Sequence, residues 1–133
     1  MKRIFFLLAS ALLVMAATRS ASDGVYTKAQ ATRGQAAYRE ECAKCHSENL
    51  AGGEGAPGLV GSEFLNKWQG KTAGDLFERI QTTMPSDDPG SLSRRKCADI
   101  TAYILSANEF PAGDKELEST ADSLNEIQIN SRK

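Results

Sequence analysis

Five consecutive residues, Cys42-Ala43-Lys44-Cys45-His46, constrain this chain more than any other part of it. Thiols at this spacing can bond to two neighbouring groups on the edge of a flat ligand. The imidazole that follows is then held beneath the ligand's centre. This is the pattern of thioether attachment to the two vinyl groups of a haem, with the histidine as an axial ligand to iron. Two other chemistries use similar residues. A thioredoxin-like dithiol also reads C-x-x-C but sits beside a βαβ pattern, and the chain has no convincing strand runs. A structural zinc site needs four ligands, usually in separated pairs. Here they would be Cys42, Cys45, His46 and Cys97, with Cys45 and His46 awkwardly adjacent for a tetrahedral metal. The motif therefore predicts one covalently bound haem c, attached through Cys42 and Cys45, with its iron held by His46.

A second axial ligand follows by elimination. His46 is the only histidine, and the three methionines are Met1, Met15 and Met84. The first two fall in an N-terminal segment with the order of a secretory signal peptide: Lys2 and Arg3, an apolar run from Ile4 to Ala17, then small and polar residues from Thr18 to Ser22. The run is shorter than the ~20 apolar residues that span a bilayer, so removal is favoured over a retained anchor, with the cut between Ala17 and Ser22. Residues 1–22 are therefore read as a signal peptide, residues 23–113 as the folded domain, and residues 114–133 as a tail that is either packed or mobile. Met84 is then the only methionine left for the iron, and His/Met ligation raises the reduction potential. Core filling by Met84, a five-coordinate iron and ligation by lysine are the alternatives. Pro85 ends the preceding helix and frees a loop at Met84.

Loss of the leader removes Lys2, Arg3 and Arg19 but no acid, so 16 basic residues fall to 13 against 17 acidic ones, a formal net of −4. An acidic chain this small does not suit nucleic acid, which needs clustered Lys and Arg. No segment after the leader is apolar enough to cross a membrane. The expected location is outside the cytoplasm, in the periplasm. A mature chain of roughly 110 residues has a limited core of its own, and small exported domains often add disulfides or a metal. With three cysteines, a simple disulfide framework is not the natural reading.

Caps and periodicity predict helices. Thr27 and Gln30 read as a capping box opening a helix toward Cys42, with Gly34, Tyr38 and Cys42 on one face. Gly34 weakens that helix unless something packs closely against it. The stretch from Gly52 to Gly61 lacks the Gly-Lys-Ser/Thr of a phosphate loop and reads as a loop that lays Pro57, Leu59 and Val60 over the haem. Thr72 and Asp75 open another helix, with Leu76, Phe77, Ile80 and Met84 on its apolar face. The last main helix starts near Ser91 or Ser93 and stops before Pro111. Its apolar stripe contains Cys97, Ile100, Tyr103, Ile104 and Ala107, and Cys97 is read as core filler rather than a reactive thiol.

Together these residues resemble the class I cytochrome c family over roughly Thr27 to Gly113. The resemblance implies an all-α, small single-domain fold wrapped around the haem, whose first and last helices cross at Gly34. Gly34 and Tyr38 would then meet Ile100 and Tyr103. It implies that the Pro57 carbonyl accepts the His46 ring N–H, and that Trp68 either lies against the haem and reaches a propionate or is a plain core aromatic. A narrower pattern is similar to cytochromes that serve, or are fused to, pyrroloquinoline-quinone alcohol dehydrogenases. It comprises Phe64, Trp68, Thr72, Asp75-Leu76-Phe77, Met84-Pro85, Pro89-Gly90-Ser91-Leu92-Ser93, Tyr103-Ile104-Leu105, Asn108 and Phe110-Pro111-Ala112-Gly113. The implied function is one-electron transfer between redox proteins, from a dehydrogenase donor to an oxidase or cytochrome acceptor. The chain would act as a monomer or as a subunit of a redox complex, and not as an enzyme. An open-site haem enzyme or sensor is the competing class. Arg94, Arg95 and Lys96 depart from the expected acidic first turn of the last helix. They read as a docking patch for an acidic partner or as a solvated face, with Asp87 and Asp88 as offsets.

Overall fold

The computed structural model describes residues 18–130. In chain order its elements are β1 (Arg19–Ser20), a 3-10 turn (Ala21–Asp23), α1 (Lys28–Glu41), α2 (Ala43–His46), α3 (Gly61–Trp68), α4 (Ala73–Thr83), α5 (Arg94–Ala107), α6 (Ala121–Leu124) and β2 (Ile127–Gln128). Local caps set the starts of three helices. Thr27 Oγ1 accepts the Gln30 N–H at 3.1 Å at the head of α1. Thr72 and Asp75 form a reciprocal box on α4: Thr72 Oγ1 accepts the Asp75 N–H at 3.0 Å, and Asp75 Oδ2 accepts the Thr72 N–H at 2.9 Å. Ser93 Oγ accepts the Lys96 N–H at 3.2 Å on α5. Each bond satisfies a donor that a helix start leaves open, worth about 1 kcal/mol.

The helical expectation holds, with one small addition. β1 and β2 pair in parallel, Arg19 opposite Ile127 and Ser20 opposite Gln128. Through this pairing the tail packs: Leu117, Leu124, Ile127 and Ile129 are all buried. Ile129 also exchanges backbone bonds with the turn before α4, its N–H going to Lys71 O at 2.8 Å and its carbonyl accepting the Gly70 N–H at 3.1 Å. Ala21 and Ser22, inside the stretch read as a leader, are buried too, and Ser22 Oγ donates to Asn130 O at 3.1 Å. Residues 1–17 of that leader lie outside the described residues. Among the described residues, no helix is long and apolar enough to cross a membrane.

The main packing contact is α1 against α5. An ideal Cβ on Gly34 would stand 1.8 Å from Asp99 O and 2.9 Å from Tyr103 Cβ, so glycine is what lets the two backbones touch. Tyr38 packs on Tyr103 beside this crossing, with ring centroids 5.4 Å apart. Arg33 ties the crossing to the tail by reaching both Asp99 (3.1 Å) and Glu116 (2.8 Å), and these two carboxylates hold its guanidinium well above its ordinary pKa.

Gln30 departs from its expected capping role. Its side chain is buried and faces the tail, where Nε2 donates to Leu117 O at 3.0 Å and Oε1 accepts the Leu117 N–H at 2.7 Å. Thr27 still caps α1, but the reciprocal arm is given up to satisfy both backbone groups of a buried residue. Gln30→Ala should therefore cost about 2–3 kcal/mol, because it strands a donor and an acceptor away from water. Denaturant unfolding of the two proteins checks this, and a difference below about 0.5 kcal/mol would contradict it.

Candidate haem-binding site

The attachment run lies where α1 gives way to α2. Cys42 ends α1 and starts the single turn of α2, which carries Cys45 and His46. That turn points the residues differently: Cys45 is exposed, Cys42 is half-buried and His46 is 9 % exposed. Burial, followed by the charges of Glu41, Cys97 and Cys45, pushes the Cys42 thiol up to about 11.

After His46 the chain folds back on itself. Tyr38 Oη donates to Ser47 O at 2.7 Å, Ser47 Oγ to Gly52 O at 2.8 Å and the Gly52 N–H to His46 O at 2.9 Å. This return brings the Pro57 carbonyl to 2.8 Å from His46 Nδ1. A carbonyl only accepts, so Nδ1 carries the ring proton and Nε2 presents its lone pair. Nε2 has no hydrogen-bond partner among the described residues. A nearly buried imidazole with one nitrogen fixed and the other open is what an axial ligand requires. With two thiols on the same turn, these residues fit a covalent haem.

Met84 stands half-buried at the exit of α4, its N–H still bonded to Ile80 O at 3.1 Å while its backbone has turned extended. One ion pair ties the loop beyond it to the attachment turn: Lys44 Nζ lies 3.2 Å from Asp87 Oδ2. Trp68 is 7 % exposed and stacks near Phe64 at 6.3 Å between centroids. The Lys67 and Lys71 ammonium groups lie 5.8 Å and 5.4 Å from its ring. The Trp68 indole N–H has no hydrogen-bond partner among the described residues, which leaves a donor beside two cations.

The remaining sequence candidates separate. Cys97 is fully buried in α5, and burial pushes its thiol up to about 11. Among the described residues, no group of three or more His, Cys, Asp and Glu side chains could hold a metal ion, so the zinc alternative has no geometry here. The basic turn is smaller than expected. Lys96 Nζ pairs with Glu41 Oε1 at 3.1 Å, leaving Arg94 and Arg95, and Asp87 is engaged by Lys44 instead. Glu41, from the last turn of α1, is the acid that offsets the turn. One residue the sequence reading gave no role to is Asn108, which joins α5 to the loop after Pro57. Its sequence signals are its place at the end of the closing helix and its part in the narrower pattern above, neither of which gives it a partner.

Known proteins resemble this chain in sequence and in fold. The family described as Cytochrome C oxidase, cbb3-type, subunit III matches residues 29–104. The Cbb3-type cytochrome c oxidase subunit CcoP of Azospirillum sp. (strain B510) is 32% identical over 91 residues, which cover 56% of this chain and 30% of that protein. Among solved structures, the sulfane dehydrogenase SoxCD from Paracoccus pantotrophus aligns with a TM-score of 0.56 and 21% identity, over 80% of this chain and 61% of that one. At that identity the likeness is one of fold. The chain spans under a third of the curated relative's length.

Proposed function

This chain belongs to the family described as cytochrome c oxidase, cbb3-type, subunit III, whose cytochrome c members bind haem c covalently, and from that premise we propose that it is a one-electron carrier and not itself an enzyme. One haem c is attached through Cys42 and Cys45, and its iron is held by His46 Nε2 and Met84 Sδ. The haem supplies an iron that alternates between ferric and ferrous. The observation that carries the assignment is the 2.8 Å contact between His46 Nδ1 and Pro57 O, which fixes the tautomer and leaves Nε2 open.

Each neighbouring residue has a task. Pro57 orients the imidazole through the Nδ1 contact. Met84, freed by the end of α4, would be the second ligand to the iron and would leave no position for a substrate. The unpartnered Trp68 N–H, with Lys67 and Lys71 beside the ring, suits a haem carboxylate. Exposed Cys45 marks the edge through which electrons enter and leave. Partners are redox proteins, a dehydrogenase as donor and an oxidase or another cytochrome as acceptor, met through a small transient interface. The protein is exported to the periplasm, and the leader ends before Arg19, because a cut closer to Ser22 would strip β2 of the strand it pairs with.

A reversible potentiometric titration of the holoprotein tests the carrier role. A single one-electron wave, with no carbon monoxide binding by the ferrous protein at neutral pH, is expected. Ready carbon monoxide binding would reject it in favour of an open-site haem. Attachment has its own readout: the denatured holoprotein should show one titratable thiol, Cys97, and the native protein none. Two thiols would mean a single thioether, and three would mean no attachment.

A further inference from the structure

We propose that Asn108 is a positioning residue for His46, acting from the closing helix through the loop that carries Pro57. This inference rests on the reading of His46 as an iron ligand. Asn108 ends α5, and its side chain leaves that helix to grip another segment. Nδ2 donates to Leu59 O at 2.9 Å and to Ile104 O at 2.9 Å. Oδ1 accepts the Gly61 N–H at 2.9 Å. The amide can face only one way, since two carbonyls need its donors and an N–H needs its oxygen.

The two loop bonds straddle Val60, so they fix the path of the backbone rather than one atom. On the other side the Leu59 N–H donates to Leu50 O at 2.7 Å. Leu59 is thus held by its N–H from the loop and by its carbonyl from α5. Pro57 lies two residues before this doubly held point and presents its carbonyl to His46 Nδ1. Pro57 has no N–H of its own and its φ is fixed by the ring, so its placement depends on the residues that flank it. Asn108 is the link from α5 to this segment, and the same bond supplies the N-terminus of α3 with a cap that Val60 does not provide.

Without the grip, the Pro57 carbonyl moves relative to His46 and the imidazole donates less electron density to iron. The ferric state is stabilised less, and the ring is free to turn. In holoprotein carrying Asn108→Leu, which keeps the shape and loses all three bonds, the ferric/ferrous balance at a fixed potential should shift toward ferrous by about threefold to tenfold. The hyperfine shifts of the haem methyl protons, which report the orientation of the axial ring, should change with it. Asn108→Asp, which keeps the acceptor for Gly61 but loses the donor to Leu59, should move both readouts in the same direction. A lower unfolding midpoint with unchanged potential and unchanged methyl shifts would overturn the proposal and leave Asn108 a stabilising cap. If neither variant loads haem, amide exchange in the unmodified holoprotein decides. Gly61 protected to the level of the α5 core supports the clamp, and Gly61 exchanging like an open loop overturns it. If the unmodified protein itself carries no haem, the ligand reading fails beneath it; a haem-loaded parent with unaltered variants defeats this inference alone.

Discussion

Gly34→Ala should strongly destabilise the holoprotein. The added methyl carbon would sit 1.8 Å from Asp99 O and 2.5 Å from Asp99 C. These are backbone atoms of a helix, so no rotamer change relieves the clash and the two helices must separate. Separation also loosens Tyr38 from Tyr103 and pulls Arg33 away from Asp99. Overpacking commonly costs 1–3 kcal/mol where side chains can yield. Here they cannot, and a loss of about 3 kcal/mol or more is expected, a large share of the roughly 5–15 kcal/mol that holds a domain together. Gly53→Ala is the control: the nearest atom to its added Cβ is Cys45 O at 3.9 Å, and its effect should stay within about 0.5 kcal/mol. Thermal unfolding of both variants, with haem content per chain, checks the pair. Equal stabilities would show that α1 and α5 do not meet at Gly34.

The second large effect is chemical. Met84→Ala should preserve the attachment through Cys42 and Cys45 and remove one axial ligand. The ferric protein should lose the weak near-infrared sulfur-to-iron band, and the ferrous protein should bind carbon monoxide. The potential should fall by on the order of 0.1 V or more, because thioether ligation favours the ferrous state and axial ligands tune haem potentials over nearly a volt. The fold should change little, since the Lys44–Asp87 contact and the Ile80–Met84 backbone bond do not use the sulfur. An exposed pair such as Lys44–Asp87 contributes about 0–1 kcal/mol, so it guides the loop and does not replace the sulfur. If Met84→Ala kept both the band and the potential, the sixth ligand would lie elsewhere.

What the sequence made legible was local. Cys42, Cys45 and His46 declare themselves by spacing, Thr72 and Asp75 by a three-residue cap, and Met84-Pro85 by a helix stop. The glycine at 34 asked for a close neighbour, and Asp99 with Tyr103 supplies it. What stayed hidden depends on residues far apart in the chain. The helix α3 has no side-chain cap of its own, because its first N–H is bonded by Asn108, 47 positions away. Gln30 looked like a local capping partner, yet its amide serves Leu117, 87 positions away. The tail looked undecided because its few apolar residues have no strong period. Its packing comes from distant partners: Gln30 and Arg33 on α1, the turn before α4, and β1, whose two residues fell inside a stretch read as a leader. The basic turn at Arg94 was matched to Asp87 and Asp88, its neighbours in sequence, whereas the acid that meets Lys96 is Glu41, on another helix.

The most direct test is the oxidised and reduced absorption spectrum of the unmodified protein, made in a host that attaches haem and recorded into the near-infrared. A c-type spectrum with the weak sulfur-to-ferric-iron band is expected and would establish thioether attachment with methionine, hence Met84, opposite His46. A c-type spectrum lacking that band would contradict the closed His46/Met84 site. No haem absorption, with a control cytochrome loaded normally in the same host, would contradict the central claim outright.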